Sequence, residues 1–431
     1  MQLNESQTTR LPTISEIPGL TCRFCDTPLR YTFVDLGCSP PCQNVVQPED
    51  LNKGEIFYPL HAFVCEACYL VQLDEYVKPD AIFTEYAYFS SYSTSWLKHA
   101  RNYVEMITER LGLDESSQVV ELASNDGYLL QWFVEKGIPC LGVEPAANVA
   151  EAALEKGIPT RVAFFGEEEA QAMVKEGIHP DLILGNNVLA HTPYLNSFVS
   201  GMTTLLAKPA PAKEGGTITM EFPHLLRLMQ ENQFDTIYHE HFSYFSLRTV
   251  LEVFCAHGLE VFDVEELPTH GGSIRIYAKH EEDERAVTES IQQVLADERA
   301  YGLDRLETYA AFAEQVKETK RKLLDFLIEA NRAGAQVVGY GAPGKGNTLL
   351  NYCGIRDDLL QYTVDRNPYK QGTYLPGTRI PVHPPEMIEE TKPDYVLILP
   401  WNLKNEIAEQ MAVIREWGGR FVVPIPEVLV F

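Results

Sequence analysis

The chain alternates between short β-branched or apolar runs and longer stretches whose apolar residues recur at helical spacing. Residues 119–127, VVELASNDG, join two valines and an acid to small polar residues ending in glycine, then pass into YLLQWFVEKG. That order predicts a buried strand, a tight turn and a helix. CLGVEP, PTRVAFF, PDLILGNN and GGTITMEF predict four more strands with polar or helical segments between them, and LEVFDVEEL facing GGSIRIYAKH predicts a closing hairpin. Lys98 through Leu111 predicts a helix, and LAKPAPAKEGG a surface loop. The stretch from Asp283 to Gly334 predicts two helices or one bent helix. AQVVGYGAPGKGNTLLNYCG then repeats the strand–turn–helix theme, and PDYVLILPWN adds a strand. The whole pattern is that of an α/β protein.

The turn after residue 122 suggests a ligand, because backbone N–H groups at the start of a helix attract one. Glu144 ends the second strand, where an acid in a doubly wound sheet accepts ribose hydroxyls. An adenosine-bearing cofactor is one reading. An ordinary βα turn is the other, since Ala123 stands where a dinucleotide fingerprint has its first glycine. Asn186, Asn187 and His191 fall at the carboxyl edge of a later strand, the edge where open α/β sheets bind ligands. There the asparagines can meet an adenine and His191 the reacting side, or His191 can serve packing alone.

At 431 residues the chain has room for two or three domains, and a hydrophobic content of 45% with 22% charged residues is that of a globular protein. The net charge of −26 argues against nucleic acid or an anionic membrane as partner. No apolar run reaches the roughly 20 residues of a membrane span, and MQLNESQTTR lacks a signal-peptide core, so the expected compartment is the cytoplasm. Nothing in the pattern calls for an obligate protein partner.

Cys22 and Cys25 form one CxxC, and Cys65 and Cys68 form another. Two such knuckles suit tetrahedral zinc thiolate coordination with no open position for chemistry. A redox dithiol, or a site borrowing Cys38 or Cys42, remains open. FTEYAYFSSYSTSW packs six aromatics and six hydroxyl residues into fourteen positions. It reads either as a lid, with Tyr86, Tyr88, Phe89 and Tyr92 on a ligand, or as a joining segment.

The densest chemistry is YHEHFSY, in which His239, Glu240 and His241 lie between Tyr238 and Tyr244, before a helix that Ser246 can cap. A histidine steered by Glu and Tyr suits proton removal from carbon, with a metal pair or a structural polar turn as alternatives. In the C-terminal turn Gly339, Gly341 and Gly344 make a GxGxxG with Asp365 downstream, as a nicotinamide dinucleotide site would. An oxidoreductase, or a noncatalytic zinc-bearing scaffold, is therefore a rival reading. Arg366, Asn367, Lys370 and Arg379 are candidate anion donors, since so acidic a protein must gather cations locally.

Five strands with crossovers and a late hairpin resemble the class I S-adenosylmethionine (SAM) methyltransferase fold. The resemblance implies SAM over the first turn, with Glu121, Ala123, Asn125, Asp126 and Gly127 near its methionine end, Glu144 and Pro145 at its ribose, and Tyr92 on the cofactor side. The CxxC pair, FSSYS, ELASNDG, GVEP, NNVLAH, YHEHFSYFS and HGGSIRIY occur in the order of the nucleotide-sugar 3-C-methyltransferases, from about Cys22 to near the C-terminus. That resemblance implies a zinc domain over 1–80, a seven-stranded, mostly parallel SAM domain over 81–282 and a Rossmann-like domain over 283–431. It implies methylation of carbon 3 of a 4-keto-deoxysugar carried on thymidine diphosphate. His241 is then the base, Tyr238 and Glu240 its neighbours, Tyr88 and Tyr86 tyrosines facing the sugar, and His191 a supporting group. Gly341, Ala342, Gly344, Lys345 and Asn347 would hold the diphosphate.

Overall fold

A computed structural model describes residues 19–78, 89–211 and 214–431. Strands β1 (Tyr31–Ser39), β2 (Tyr58–Val64) and β3 (Val71–Leu73) form an antiparallel N-terminal sheet around the CxxC knuckles. Helix α1 (Thr94–Leu111) is capped by the Ser93 hydroxyl, which accepts from the Trp96 N–H, and ends at left-handed Gly112.

Next come β4 (Val119–Leu122), α2 (Leu130–Glu135), β5 (Cys140–Glu144), α3 (Ala147–Glu155), β6 (Thr160–Val162), α4 (Glu167–Lys175), β7 (Leu182–Asn186), α5 (Leu195–Leu205) and β8 (Thr217–Pro223). Beyond α6 (Leu225–Gln230) the chain makes a two-residue strand, β9 (Ser243–Tyr244), then α7 (Leu247–Cys255) and the hairpin β10 (Leu259–Leu267) and β11 (Ser273–His280). The seven-stranded sheet has the order β10-β11-β8-β7-β4-β5-β6, with β11 antiparallel to both its neighbours and the rest parallel. This is the expected class I methyltransferase architecture. The sequence PTRVAFF ends its strand early, at Val162.

The long helical stretch is two helices, α8 (Glu289–Tyr301) and α9 (Leu306–Arg332), broken at left-handed Gly302. Then β12 (Val337–Tyr340), α10 (Gly344–Cys353), β13 (Thr363–Val364), β14 (Val382–His383), β15 (Tyr395–Ile398), β16 (Arg420–Val423) and β17 (Leu429–Val430) build a six-stranded sheet, parallel except at β17.

Two features tie these parts together. Strand β9 pairs with β3, so the segment carrying His241 completes the N-terminal sheet as its fourth strand. Helix α9 lies on β1, where Phe33 stacks on Phe312 with centroids 4.7 Å apart, and one hydrophobic core runs from β1 through α9 into the C-terminal sheet. Among the described residues no helix is long and apolar enough to cross a membrane.

Candidate active site

A cavity of about 1210 Å³ opens at the carboxyl ends of the parallel strands of both large sheets. Ligand pockets typically measure roughly 300–1,000 Å³, so it has room for two ligands side by side. After β4 the turn takes left-handed backbone at Ala123, Asn125 and Gly127. Glu144 holds this turn, for its carboxylate accepts the Asn125 N–H and the Ala146 N–H, each at 2.9 Å. The Asn125 side chain in turn accepts the Ser90 N–H at 2.8 Å.

Tyr92, Ala123, Asn125, Glu144, Pro145, Asn186 and Asn187 line the cavity. Asn186 Nδ2 and Asn187 Oδ1 are buried without a hydrogen-bond partner among the described residues. Glu121, Asp126 and Gly127, expected beside them, do not line it. Glu121 is buried behind the turn, where desolvation and then the Glu144 charge push its carboxyl well up. Asp126 turns to Lys156, at 2.9 Å. Gly127 is needed for packing, since a Cβ there would lie 2.3 Å from Ile158 Cδ1 on a backbone of φ +75°.

Several lining residues were not legible. Phe164 lies just past β6, 48% exposed at the cavity wall, and its position in an apolar run made it look like strand. Trp96 and His99 come from α1, and Trp96 packs against His99, Tyr128 and His270 with centroids 5.0, 6.0 and 5.0 Å apart. His99 and Arg275 contact Glu221 at 2.9 and 2.6 Å; burial alone would raise that carboxyl, but these partners hold it at about 2.

Across the cavity sits His241. Its Nδ1 donates to the Thr236 carbonyl at 2.8 Å, which leaves Nε2 as the lone-pair nitrogen, buried and without a partner among the described residues. The Tyr238 and His191 rings lie 4.0 and 4.6 Å away by centroid. Burial, then the neighbouring His191, pushes the His241 pKa well down; burial and His270 push His191 to about 4. His239 instead contacts the Pro59 carbonyl of β2 at 3.0 Å. The two histidines therefore do not form a metal pair. Glu240 accepts from the buried thiol of Cys42 at 3.6 Å. Tyr86 and Tyr88 lie outside the described residues.

The C-terminal turn supplies Gly341, Gly344, Lys345 and Arg366 to the lining, with Asn367 and Lys370. Lys345 Nζ donates to Asn402 at 2.8 Å and lies 4.5 Å over the Trp401 ring. Ala342, Asn347 and Arg379, expected at the diphosphate, point elsewhere. The Ala342 N–H donates to Asp365 at 2.7 Å, and Asn347 Nδ2 to the Cys42 carbonyl at 2.7 Å, so both brace the turn from behind. Arg379 pairs with Glu55 at 3.1 Å and bonds the Leu51 and Lys53 carbonyls, fastening an N-terminal loop to the C-terminal domain. Asp365 also accepts the Asn367 N–H at 2.8 Å, so its carboxylate is engaged in closing the turn.

The four cysteines converge. Sγ atoms of Cys22 and Cys68, Cys25 and Cys65, and Cys25 and Cys68 lie 3.6, 3.6 and 3.7 Å apart. Thiolates about 2.3 Å from one tetrahedral ion stand roughly 3.8 Å apart, so the cluster fits zinc. Neither Cys38, exposed, nor Cys42, beside Glu240, belongs to this group.

Three family profiles match the chain in succession: a zinc binding domain over residues 22–83, a methyltransferase domain over 96–264 and a C-methyltransferase C-terminal domain over 268–426. The C-methyltransferase NovU of Streptomyces niveus is 37% identical over 406 residues, covering 94% of this chain and 95% of its own length. The chain belongs to the C-methyltransferase family. Two solved structures are similar to part of this C-methyltransferase. One is a SAM-bound magnesium protoporphyrin IX methyltransferase from Synechocystis (13% identity, 43% of this chain and 79% of that one, TM-score 0.32). The other is a SAM-dependent methyltransferase from Mesorhizobium loti (14% identity, 43% and 100%, TM-score 0.33).

The cofactors are SAM and zinc. The amide atoms of Asn186 and Asn187, buried without a partner among the described residues and lining the same cavity as Glu144, fit a polar ligand such as SAM, and the four sulfurs fit the metal. A dinucleotide-dependent oxidoreductase and a noncatalytic scaffold give way to methyl transfer.

Proposed function

We propose that this C-methyltransferase methylates carbon 3 of a nucleotide-activated 4-keto-deoxysugar, thymidine diphosphate being the carrier, with His241 as the base. The observation that carries the reading is the Nε2 of His241: buried in the wall of a two-ligand cavity, held in its lone-pair tautomer by the Thr236 carbonyl, and lacking any partner among the described residues. A carbon beside a ketone is acidic because its electron pair delocalises onto oxygen. His241 takes that proton, and Tyr238, Glu240 and His191 line the same wall to orient the imidazole and the developing enolate. Tyr88 joins this group by its motif.

SAM supplies a methyl group made electrophilic by its positive sulfur. Tyr92, Ala123, Asn125, Glu144, Pro145, Asn186 and Asn187 hold it, with Phe164 beside them. Gly341, Gly344, Lys345, Arg366 and Lys370 face the diphosphate, and the acidic exterior explains why such donors are gathered inside. On this reading residues 1–80 carry zinc, 81–282 the methyl donor and 283–431 the nucleotide.

The test is incubation with SAM and a panel of nucleotide-linked 4-keto-sugars, reading S-adenosylhomocysteine and a product heavier by one methylene. Carbons 3 and 5 both flank a 4-ketone, so NMR of the product decides the position. No S-adenosylhomocysteine above background with any of the panel overturns the keto-sugar assignment, and methylation at carbon 5 overturns carbon 3.

A further inference from the structure

His270 lies in the turn between β10 and β11, on backbone of φ +54°, followed by Gly271 at +93° and Gly272 at +117°. Three successive left-handed residues make a turn in which glycine is the unstrained choice. Positions 271 and 272 have no alternative: a Cβ on Gly271 would meet Gln233 and Trp401 at 2.8 Å, and one on Gly272 would meet Arg227 at 2.7 Å. At position 270 the chain nevertheless keeps a side chain.

The turn is clamped. The Thr269 hydroxyl donates to Glu221 at 2.8 Å, Gln233 Nε2 donates to the Gly271 carbonyl at 2.7 Å, and the His224 N–H donates to the Gly272 carbonyl at 3.0 Å. Trp96 holds the imidazole edge-on, with centroids 5.0 Å apart. The ring lies in the cavity wall, and its Nε2 is buried there with no partner among the described residues. Strained backbone held rigidly around an unpartnered buried polar atom is what a functional contact requires. A purely structural histidine would spend that nitrogen on a protein group.

We propose that His270 is a further substrate-contacting residue of the methyl-transfer site, its imidazole donating a hydrogen bond from Nε2 to the keto oxygen of the sugar as the enolate forms. The proposal rests on the keto-sugar reading above. The step balances: the C–H electron pair becomes the carbon–carbon double bond, the carbonyl π pair moves to oxygen, the proton goes to His241 Nε2, and His270 keeps its own proton. Burial, with Lys345 nearby, pushes the His270 pKa to about 4, so the ring is neutral at neutral pH and carries a single N–H, which the proposal places on Nε2. The Lys345 ammonium, whose field also reaches His241, adds positive potential on the same side.

The test uses His270→Gly, which suits the left-handed backbone, and His270→Asn, which tolerates it and keeps an amide donor. Exchange of the sugar's α-hydrogen in deuterium oxide is followed with S-adenosylhomocysteine in the donor site, so that proton removal is read apart from methyl transfer. His270→Gly is expected to melt no lower than the parent, to bind SAM within threefold, and to lose about 10²-fold in both exchange and turnover, the size of a lost oxyanion donor. His270→Asn is expected to recover part of both. Exchange by His270→Gly within threefold of the parent overturns the proposal, as does a loss of turnover with exchange intact. Should His270→Gly unfold, His270→Ala, which carries no donor, decides by the same exchange: a rate within threefold of the parent's removes the imidazole from the step. A parent that methylates but never exchanges or uses a keto-sugar overturns the underlying keto-sugar reading, and this proposal with it.

Discussion

The Thr236 carbonyl decides what His241 can do. By accepting a hydrogen bond from Nδ1–H it leaves Nε2 with the lone pair, and burial together with the imidazole of His191 pushes the pKa of the ring well below the usual histidine value near 6.5. A base with a depressed pKa is competent above that pKa and fails as pH falls through it. The acid limb of kcat/KM is therefore expected below pH 6.5, and a limb at 6.5 or above removes His241 from the role of base. His241→Asn is expected to lower turnover by about 10²–10⁴ while SAM binding, read by calorimetry, stays within a few-fold. Turnover near the parent's contradicts the assignment. The place of His241 in the cavity wall was legible because polar groups crowd YHEHFSY beyond what a surface turn needs. Glu121 and Asp126 were read as ligand groups because they flank the right turn, yet a sequence does not say which side of the turn a carboxylate faces. Here one lies behind it and the other meets Lys156.

At the scale of elements, the segment from 234 to 246 is held from two directions. Its far end pairs through β9 with β3, and its near end is held by Asp235, whose carboxylate accepts the Trp401 indole N–H at 2.7 Å. Asp235 is fully buried, and desolvation raises its pKa from 3.8 to about 6. Between those values the folded chain binds a proton that the unfolded chain has released, so this group's stabilising contribution, complete below pH 4, is lost as pH rises to about 6. Asp235→Asn does not titrate. Its stability relative to the parent is expected to climb by roughly 2–3 kcal/mol between pH 4 and pH 7, at about 1.4 kcal/mol per tenfold. Parallel denaturation curves at the two pH values that show a constant difference rule this out. The cap of α7 was legible, since the Ser246 hydroxyl accepts the Thr249 N–H as its type and place suggest. The pairing of Ser243 and Tyr244 with β3 was not, because two residues have no period and their partner lies about 170 positions away.

For the molecule as a whole, the metal cluster is not a detached module. Gln72 on β3 contacts Cys22 Sγ at 3.2 Å, and Cys22, Cys65 and Cys68 share a core with Val120 and Phe222 of the seven-stranded sheet. Since β3 also carries β9, removing zinc is expected to lower methyl transfer along with stability, the two falling together as metal is titrated out by a chelator. An enzyme stripped of zinc that keeps full turnover contradicts this. The seven-stranded sheet was legible from the order of its strands and the zinc from its CxxC spacing, whereas the N-terminal sheet was not read from the sequence. The shared core was not, because Phe33 of β1 and Phe312 of α9 are brought together only by the complete fold.

The cavity takes its walls from separate sheets, and this has a consequence for how such a protein changes over time. In the reading proposed here, the group that is given away is gripped by the seven-stranded sheet and the molecule that receives it by the six-stranded one. Drift in the last third of the chain can then redirect the chemistry to new recipients while the donor's grip is inherited unaltered.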